Sequence, residues 1–396
     1  RFRALNPAMQ TWGISATIGN MAESMDVLLG PNPPKPGQWV VADIEKDLVV
    51  EAVLPEEVET LPWAGHLGLR LLDQVVPLIY ENESTLIFTN TRAQAEIWFQ
   101  KLLEADPSLA GVLAMHHSAI SREMRTWVEE ALYDGRLKAV VCTSSLDLGV
   151  DFRPVDCVVQ IGSPKGVSRF VQRAGRSGHR PGATSKIFFV PTHSLELIEC
   201  AALRKAIDTK TNEDRMPYLR SMDVLIQYLV TRAVGGGFVA DELWQEVRET
   251  VSFMSLSYEE WLWCLDFVVR GGDTLSGYDD YHKVVVEEGV HKVISKKVAM
   301  RHKFGIGTIV SGALVKVKLQ RGKVLGQVEE YFVSRLSIGE RFWFAGQCLE
   351  LVWFKGIEVR VRPAKNAKGA VPSYMGGRMP LSAELGRYLR EKIEES

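Results

Sequence analysis

The residues best suited to chemistry stand in one run, Gln172-Arg173-Ala174-Gly175-Arg176-Ser177-Gly178-His179. Two arginines three positions apart share a face at the end of a helix, and the glycines let backbone come close to a ligand. A planar guanidinium that cannot lose its charge suits phosphoryl oxygens on which negative charge is redistributing. An arginine so placed is worth about 10³–10⁵ in rate in phosphoryl-transfer enzymes. Gln172, Arg173 and Arg176 are therefore the candidate catalytic residues. Two arginines alone are also what a solvated basic turn contains, so the reading depends on their companions.

Those companions are short polar residues at the ends of apolar runs. Thr89, Asn90, Thr143 and Ser144 can offer hydroxyls, an amide and backbone N–H groups to sugar-phosphate oxygens without reading bases. A helix N-cap is the plainer role for Asn90 or Thr91. His116-His117-Ser118 opens a loop after another apolar run, where paired histidines at the edge of the core are the alternative to a ligand contact.

From Leu67 to Pro191, apolar runs of strand length alternate with amphipathic stretches of helical period, which predicts a parallel α/β domain. Strands are expected over Ser84–Phe88, Gly111–Met115, Ala139–Cys142, Val155–Ile161 and Ser185–Val190. Helices are expected near Gly65–Tyr80, Arg92–Ala105, Ser121–Tyr133 and Val167–Ala174. Ligands of open parallel sheets sit at the carboxyl ends of strands, where the candidates above fall. Upstream, Ile14–Ile18 reads as a strand and the Pro-rich Gly30–Gly37 as a linker. Downstream, three helices are expected over Tyr218–Val234, Asp241–Val251 and Ser257–Val269, the last with Ser257 as N-cap and Glu260 at capping-box distance. Three short helices and a following hairpin suit a winged helix. From His291 to Arg362 the sequence is β-rich, with runs over Thr308–Leu319, Gln327–Val333, Arg341–Phe344 and Ile357–Val361 that suggest a small barrel or sandwich.

In this setting the octet resembles motif VI of superfamily 2 helicases. Ser15-Ala16-Thr17 resembles motif III, Leu86-Ile87-Phe88-Thr89-Asn90-Thr91-Arg92 motif IV, and Val141-Cys142-Thr143-Ser144-Ser145-Leu146-Asp147-Leu148-Gly149-Val150-Asp151 motif V. The four fall in the family's order. The resemblance implies that Ser15 and Thr17 couple the ATP site to nucleic acid, that Gly149 approaches the nucleotide, and that Asp151 accepts from the ATP ribose. It further implies nucleic-acid contacts from Thr89, Asn90, Arg92, His117, Ser118, Thr143 and Ser144. Ser118-Ala119 stands where related enzymes usually have Gly-Ser. Tyr281 or His282 stands about where they place a base-stacking aromatic.

Later segments, Gly326-Gln327-Val328-Glu329-Glu330-Tyr331-Phe332, Ile338-Gly339-Glu340-Arg341-Phe342 and the stretch from Val371 to Ser382, are similar to the large helicase-related (Lhr) family, and within it to the ligase-associated DEXH-box branch. That resemblance implies four parts: 1–36, the tail of a first RecA-like domain with a linker; 37–208, a second RecA-like domain; 209–290, a winged helix; and 291–396, a β-barrel-like domain. It implies a 3′–5′ DNA helicase or translocase in repair, using ATP and Mg²⁺. Implied partners are single-stranded DNA or DNA/RNA hybrids, a first RecA-like domain, and the DNA ligase and nuclease of the same pathway.

The sequence contains no GxxxxGK[ST] loop and no DExH tetrad after a strand, so the groups that hold the β- and γ-phosphates and Mg²⁺ are expected upstream of Arg1. The chain by itself is expected not to hydrolyse ATP. A silent nucleic-acid-binding or scaffold module, and an RNA helicase, are the alternatives.

Charge is local. The net charge of the 396 residues is -2, but Lys165–Lys186 and His291–Gly326 are basic strips with no acid. In Val315-Lys316-Val317-Lys318-Leu319, alternation sends both lysines to one strand face, for nucleic-acid backbone or simply as a solvated face. Trp244, Trp261 and Trp263 are expected in helix cores. The five cysteines form no CxxC pair, which argues against a zinc site and for buried reduced thiols in a cytoplasmic protein, and the helicase resemblance implies association with the nucleoid. No apolar stretch approaches the roughly 20 residues that span a bilayer.

Overall fold

The computed structural model describes residues 2, 6, 8–15, 17–31, 33, 35–41, 47–54, 68–147, 155–178, 184–272, 282–307, 314–320, 322–355, 358–364, 369–372 and 380–395. Along the chain come α1 (Met21–Leu29), β1 (Leu48–Ala52), α2 (Leu72–Glu81), β2 (Thr85–Phe88), α3 (Arg92–Ala105) and β3 (Leu113–His116). They are followed by α4 (Arg122–Tyr133), β4 (Ala139–Cys142), β5 (Cys157–Ile161), α5 (Val167–Ala174), β6 (Ser185–Val190) and α6 (Leu195–Asp208). Next are α7 (Met222–Val234), β7 (Phe238–Val239), α8 (Ala240–Arg248), α9 (Tyr258–Arg270), β8 (Val285–Glu287), β9 (Val290–Lys292) and α10 (Lys296–Gly305). Last are β10 (Leu314–Leu319), β11 (Val324–Glu329), α11 (Glu330–Val333), β12 (Arg341–Phe344), β13 (Gln347–Lys355), β14 (Glu358–Pro363) and α12 (Ala383–Glu394). The contacts group these into two compact units, 1–42 with 214–311 and 43–213 with 312–396.

The second unit holds a parallel sheet of order β1-β6-β5-β2-β4-β3. Strands buried on both faces need apolar side chains on both, and β2 supplies them: Ile87 enters one core, Leu86 and Phe88 the other. Trp98 and Leu102 of α3 seal the first face, and burial of a side chain such as Leu102 contributes about 1.5–3 kcal/mol. Helix starts are set by side-chain caps. Thr91 Oγ1 accepts from Gln94 N at 3.1 Å and Ser121 Oγ from Met124 N at 3.3 Å. The opposite face is covered by α4, α5 and α6, and α12 adds Leu385 and Tyr388 to the same core.

The barrel-like portion is a curled five-stranded sheet of order β11-β10-β14-β13-β12, parallel between β10 and β14 and antiparallel elsewhere. Val315, Val317, Phe342 and Phe344 share one core with Trp98 and Leu102, so this sheet packs on the α2–α3 face of the parallel one. Backbone seals the junction. Ser121 N donates to Leu325 O and Gln327 N to Ala119 O, each at 2.9 Å.

The first unit contains the winged helix. Helices α7, α8 and α9 surround a core of Leu229, Leu243, Trp261 and Cys264, and β8 and β9 form the wing beside β7. Ser257 and Glu260 form the expected capping box on α9. His291 stacks on Phe238 at a centroid distance of 4.9 Å.

Several expectations need correction. Residues 14–18 form no strand among those described. Helices α1, α6, α10 and α12 and strand β1 were not anticipated; β1 is an edge strand with only Val50 buried, so it shows no alternation to read. The run expected as a strand over Gln327–Val333 ends as β11 at Glu329 and turns into α11. In the stretch taken as β-rich, Ser295 caps α10, whose Lys, Ala, Met and Arg residues favour a helix. Trp263 is not core: it is 53% exposed and stacks on Phe267. No helix among the described residues is long and apolar enough to cross a membrane.

Candidate nucleotide and nucleic-acid site

The arginines of the octet converge on one residue. Asp147 follows β4 after a single turn, and its Oδ1 accepts from Arg173 Nε at 2.8 Å. Its backbone carbonyl accepts from Arg176 Nη2 at 2.6 Å and Nε at 3.2 Å. Arg173 Nη1 donates to Gln160 Oε1 in β5 at 2.8 Å, and its guanidinium lies 4.8 Å from the Phe88 ring centroid. Arg173 thus lies under the carboxyl ends of β2, β4 and β5 and is only 1% exposed.

Bonded to Asp147 and Gln160 and almost closed off from solvent among the described residues, the Arg173 guanidinium ties the turn after β4 to α5. Arg176 and Gln172 are partly exposed. Burial lowers the Arg176 pKa and Asp147 opposes the shift, which leaves the group charged. Helix α5 is held from below by Glu213, whose Oε1 accepts from Val167 N at 2.7 Å.

The short polar candidates divide by exposure. Thr89 is buried, with Oγ1 donating to Thr91 O and Cys142 O at 3.1 and 3.2 Å. Asn90 Nδ2 donates to Ser163 O at 2.8 Å, while its buried Oδ1 has no partner among the described residues. Arg92 lies 3.8 Å from Glu329. Thr143 is buried, whereas Ser118 and Ser144 are exposed. Both histidines are core residues: His116 places Nδ1 2.7 Å from Ser145 Oγ and Nε2 2.9 Å from Glu129, and His117 Nε2 lies 3.2 Å from Glu96 Oε1. Burial lowers the His116 pKa, against the pull of Glu129.

On β10 the alternation is as read, with Val315 and Val317 buried and Lys316 exposed. Lys318 is neutralised by Glu358 at 2.5 Å. Ser15 is exposed and Thr17 buried, with Thr17 N donating to Ser15 Oγ at 3.4 Å. Gly149, Asp151 and Tyr281 lie outside the described residues. Among the described residues no group of three or more His, Cys, Asp or Glu side chains is placed to hold a metal ion. Asp147, Gln160, Glu96 and Glu213 carry the site's internal bonds and were given no role from sequence; an acid buried by folding leaves no local signature.

A family model described as the winged helix domain of large helicase-related protein matches residues 205–371, and one for the helicase conserved C-terminal domain matches 69–181. The chain belongs to the Lhr helicase family. The Lhr-Core ATP-dependent helicase of Sulfolobus acidocaldarius is 33% identical over 397 residues, covering 97% of this chain and 44% of the relative. The Lhr helicase/uracil glycosylase of Escherichia coli is 26% identical, covering 81% of this chain and 23% of the relative. The chain therefore spans less than half the length of these Lhr relatives. The structure of Mycobacterium smegmatis helicase Lhr bound to ssDNA and AMP-PNP matches with a TM-score of 0.66 at 29% identity, covering 76% of this chain and 38% of that one.

Proposed function

We propose that this chain is the part of an ATP-dependent Lhr helicase that closes over a nucleotide held by a separate RecA-like lobe. The observation that carries the reading is the shared grip of Asp147: its carboxylate fixes Arg173 inside the fold, and its carbonyl presents Arg176 at the ligand-bearing edge of the parallel sheet. Arg176 is the candidate finger, Gln172 its partly exposed neighbour, and Arg173 the residue that positions both. Gly149 and Asp151 are assigned to the nucleotide, and Ser15 and Thr17 to coupling. Mg²⁺ is assigned to the other lobe.

On the strand side, exposed Ser118, Ser144 and Lys316 are the direct contacts, with Asn90 and Arg92 beside them, while buried Thr89, His117 and Thr143 shape the surface from beneath. Tyr281 is assigned to base stacking and Lys318 to the rim. The fourfold division at residues 36, 208 and 290 follows the same scheme. The substrate proposed is single-stranded DNA or a DNA/RNA hybrid, travelled 3′–5′ in a cytoplasmic, nucleoid-associated repair pathway alongside a DNA ligase and nuclease, on the ligase-associated branch.

The test is strand-stimulated ATP hydrolysis by a protein joining this chain to a phosphate-binding lobe. Arg176→Ala is expected to lower kcat about 10³-fold or more with little change in strand affinity. Turnover that stays near wild type removes the finger role. Absence of strand-stimulated hydrolysis in the unaltered protein favours the silent binding module.

A further inference from the structure

Helix α5 carries Gln172 and Arg173 and delivers Arg176, whose backbone N–H donates to Arg173 O at 3.0 Å, so all three residues follow the helix. It is eight residues long, and a helix of that length is marginal without tertiary support. Its own sequence supplies no cap: Gly166 stands at the N-cap position without a side chain, and the first turn holds no acid. The cap comes from 46 positions away. Glu213 Oε1 accepts from Val167 N at 2.7 Å, and Ser168 Oγ accepts in return from Glu213 N at 3.3 Å. A Cβ on Gly166 would stand 3.0 and 3.1 Å from the two Glu213 carboxylate oxygens, so the missing side chain is what admits the carboxylate.

A cap built into a helix forms whenever the helix does, whereas one brought from elsewhere acts only while its own segment is seated. Helix α12 seats it. Tyr388 is buried, and its hydroxyl lies 2.7 Å from Thr209 Oγ1 and 2.6 Å from Thr211 Oγ1, in the segment that runs from α6 to Glu213. The residue that caps α12 also reaches the entry of α5, where Ser382 N donates to Lys165 O at 2.9 Å. Lys165 sits at φ 62, a left-handed conformation that a lysine keeps only where its surroundings impose it. Those surroundings include Ser163 Oγ, which accepts from Lys165 N at 3.2 Å, and the Glu199 carboxylate, which accepts from Lys165 Nζ at 2.9 and 3.0 Å.

We infer that Glu213 and Tyr388 are positioning residues for the nucleotide edge: α12 seats the segment after α6, that segment brings the Glu213 carboxylate onto α5, and α5 places Gln172 and Arg176. Both act through the helix. The inference rests on the reading of Arg176 as the finger and gives α12 a part in turnover.

The experiment has two arms. Amide hydrogen exchange of α5 is read on this chain, and strand-stimulated ATP hydrolysis on the protein that joins it to a phosphate-binding lobe, each variant first shown to be folded by circular dichroism. Glu213→Ala is expected to speed α5 exchange about tenfold or more. It is also expected to lower kcat about 10²-fold with KM for ATP and strand affinity near wild type, since a misplacement of about 1 Å costs that much. Glu213→Gln keeps an acceptor oxygen for Val167 N and is expected to recover most of both losses. Tyr388→Phe removes only the hydroxyl and is expected to speed exchange about two- to tenfold and to lower kcat in step. Lys205→Ala breaks the exposed pairing of α6 with Glu391 and Glu395 and should change neither readout. Wild-type exchange in Glu213→Ala and Tyr388→Phe overturns the brace. Faster exchange with kcat unchanged leaves a helix cap alone and overturns the positioning role. Equal losses in Glu213→Gln and Glu213→Ala overturn capping as the cause. An unaltered protein without strand-stimulated hydrolysis fails the helicase reading and the positioning role with it, whereas faster exchange in the two variants then still upholds the brace.

Discussion

Glu96 and His117 form a wholly buried pair, His117 Nε2 lying 3.2 Å from Glu96 Oε1. The same carboxylate accepts from Ala345 N at 2.8 Å and Gly346 N at 3.1 Å, in the turn between β12 and β13. Ala345 sits at φ 54, a left-handed conformation that costs a non-glycine residue about 1–2 kcal/mol. One carboxylate therefore anchors a strained turn of the five-stranded sheet and the residue preceding exposed Ser118. Glu96→Ala removes the acceptor of one buried and one half-buried N–H group and the carboxylate beside His117, so a loss of about 3–5 kcal/mol is expected, with Glu96→Gln losing less because an acceptor remains. Urea unfolding measures it. A midpoint for Glu96→Ala that matches wild type contradicts the anchoring role.

The burial of Arg173 makes a second prediction, opposite in kind to the one for Arg176. Removing its guanidinium leaves the mostly buried Asp147 carboxyl without its closest partner, at a cost of about 3–5 kcal/mol. Arg173→Lys keeps the charge but cannot span Asp147 and Gln160 together, so it should recover only part of the loss. Arg176→Ala should leave stability within about 1 kcal/mol. The comparison is made by chemical denaturation of this chain. Equal stability of the Arg173 and Arg176 variants would show that the two arginines are not divided between structure and catalysis.

These two pairs also show what the sequence could and could not reveal. Strands β4 and β6 and helices α3 and α5 were legible to the residue, because fully buried parallel strands are short unbroken apolar runs and Thr91 announces the start of α3. The helix that carries Gln172 and Arg173 was legible, but the inward turn of Arg173 was not: residue type and spacing give a helical face, and only the neighbouring strands decide whether that face looks at solvent or at Gln160. Glu96 sits among polar residues on α3 and reads as surface. It becomes a core residue through Ala345 and Gly346, some 250 positions later, a contact of a length that local pattern does not encode. Helix α10 was hidden for another reason, since the β-rich text on either side outweighed its cap at Ser295.

Burial of His116 sets a pH dependence. Its folded pKa lies below the ordinary histidine value of about 6.5, chiefly through desolvation, with Arg125 and His117 adding to the shift and Glu129 opposing it. The unfolded chain then binds the proton more readily, so the stability that His116 contributes is present above the unfolded pKa and is lost as pH falls through the folded one. His291 and His302 shift the same way for the same leading reason. The urea midpoint is expected to fall between about pH 7.5 and 5.5, and less steeply in His116→Gln. A fall that is unchanged in this variant assigns the effect to other groups.

Gly326 tests whether the curled sheet and the loop after His116-His117 behave as one body. A Cβ at this position would stand 2.0 Å from Ala119 O and 2.9 Å from the Phe344 ring, so Gly326→Ala must push β11 off the loop whose backbone it hydrogen-bonds through Leu325 and Gln327. The expected loss is at the upper end of about 1–3 kcal/mol for overpacking, because one of the two obstacles is backbone. Gly322→Ala is the control: its φ of 92 also disfavours a side chain, yet nothing lies within 4 Å of the added carbon. Its cost should be backbone strain alone, about 1–2 kcal/mol. Because Ser118 precedes Ala119 directly, Gly326→Ala is further expected to weaken oligonucleotide binding, whereas Gly322→Ala is not. Thermal melting and anisotropy on the same two proteins separate the cases. If the two variants melt together and bind alike, the backbone seal between β11 and the loop does not transmit position to Ser118.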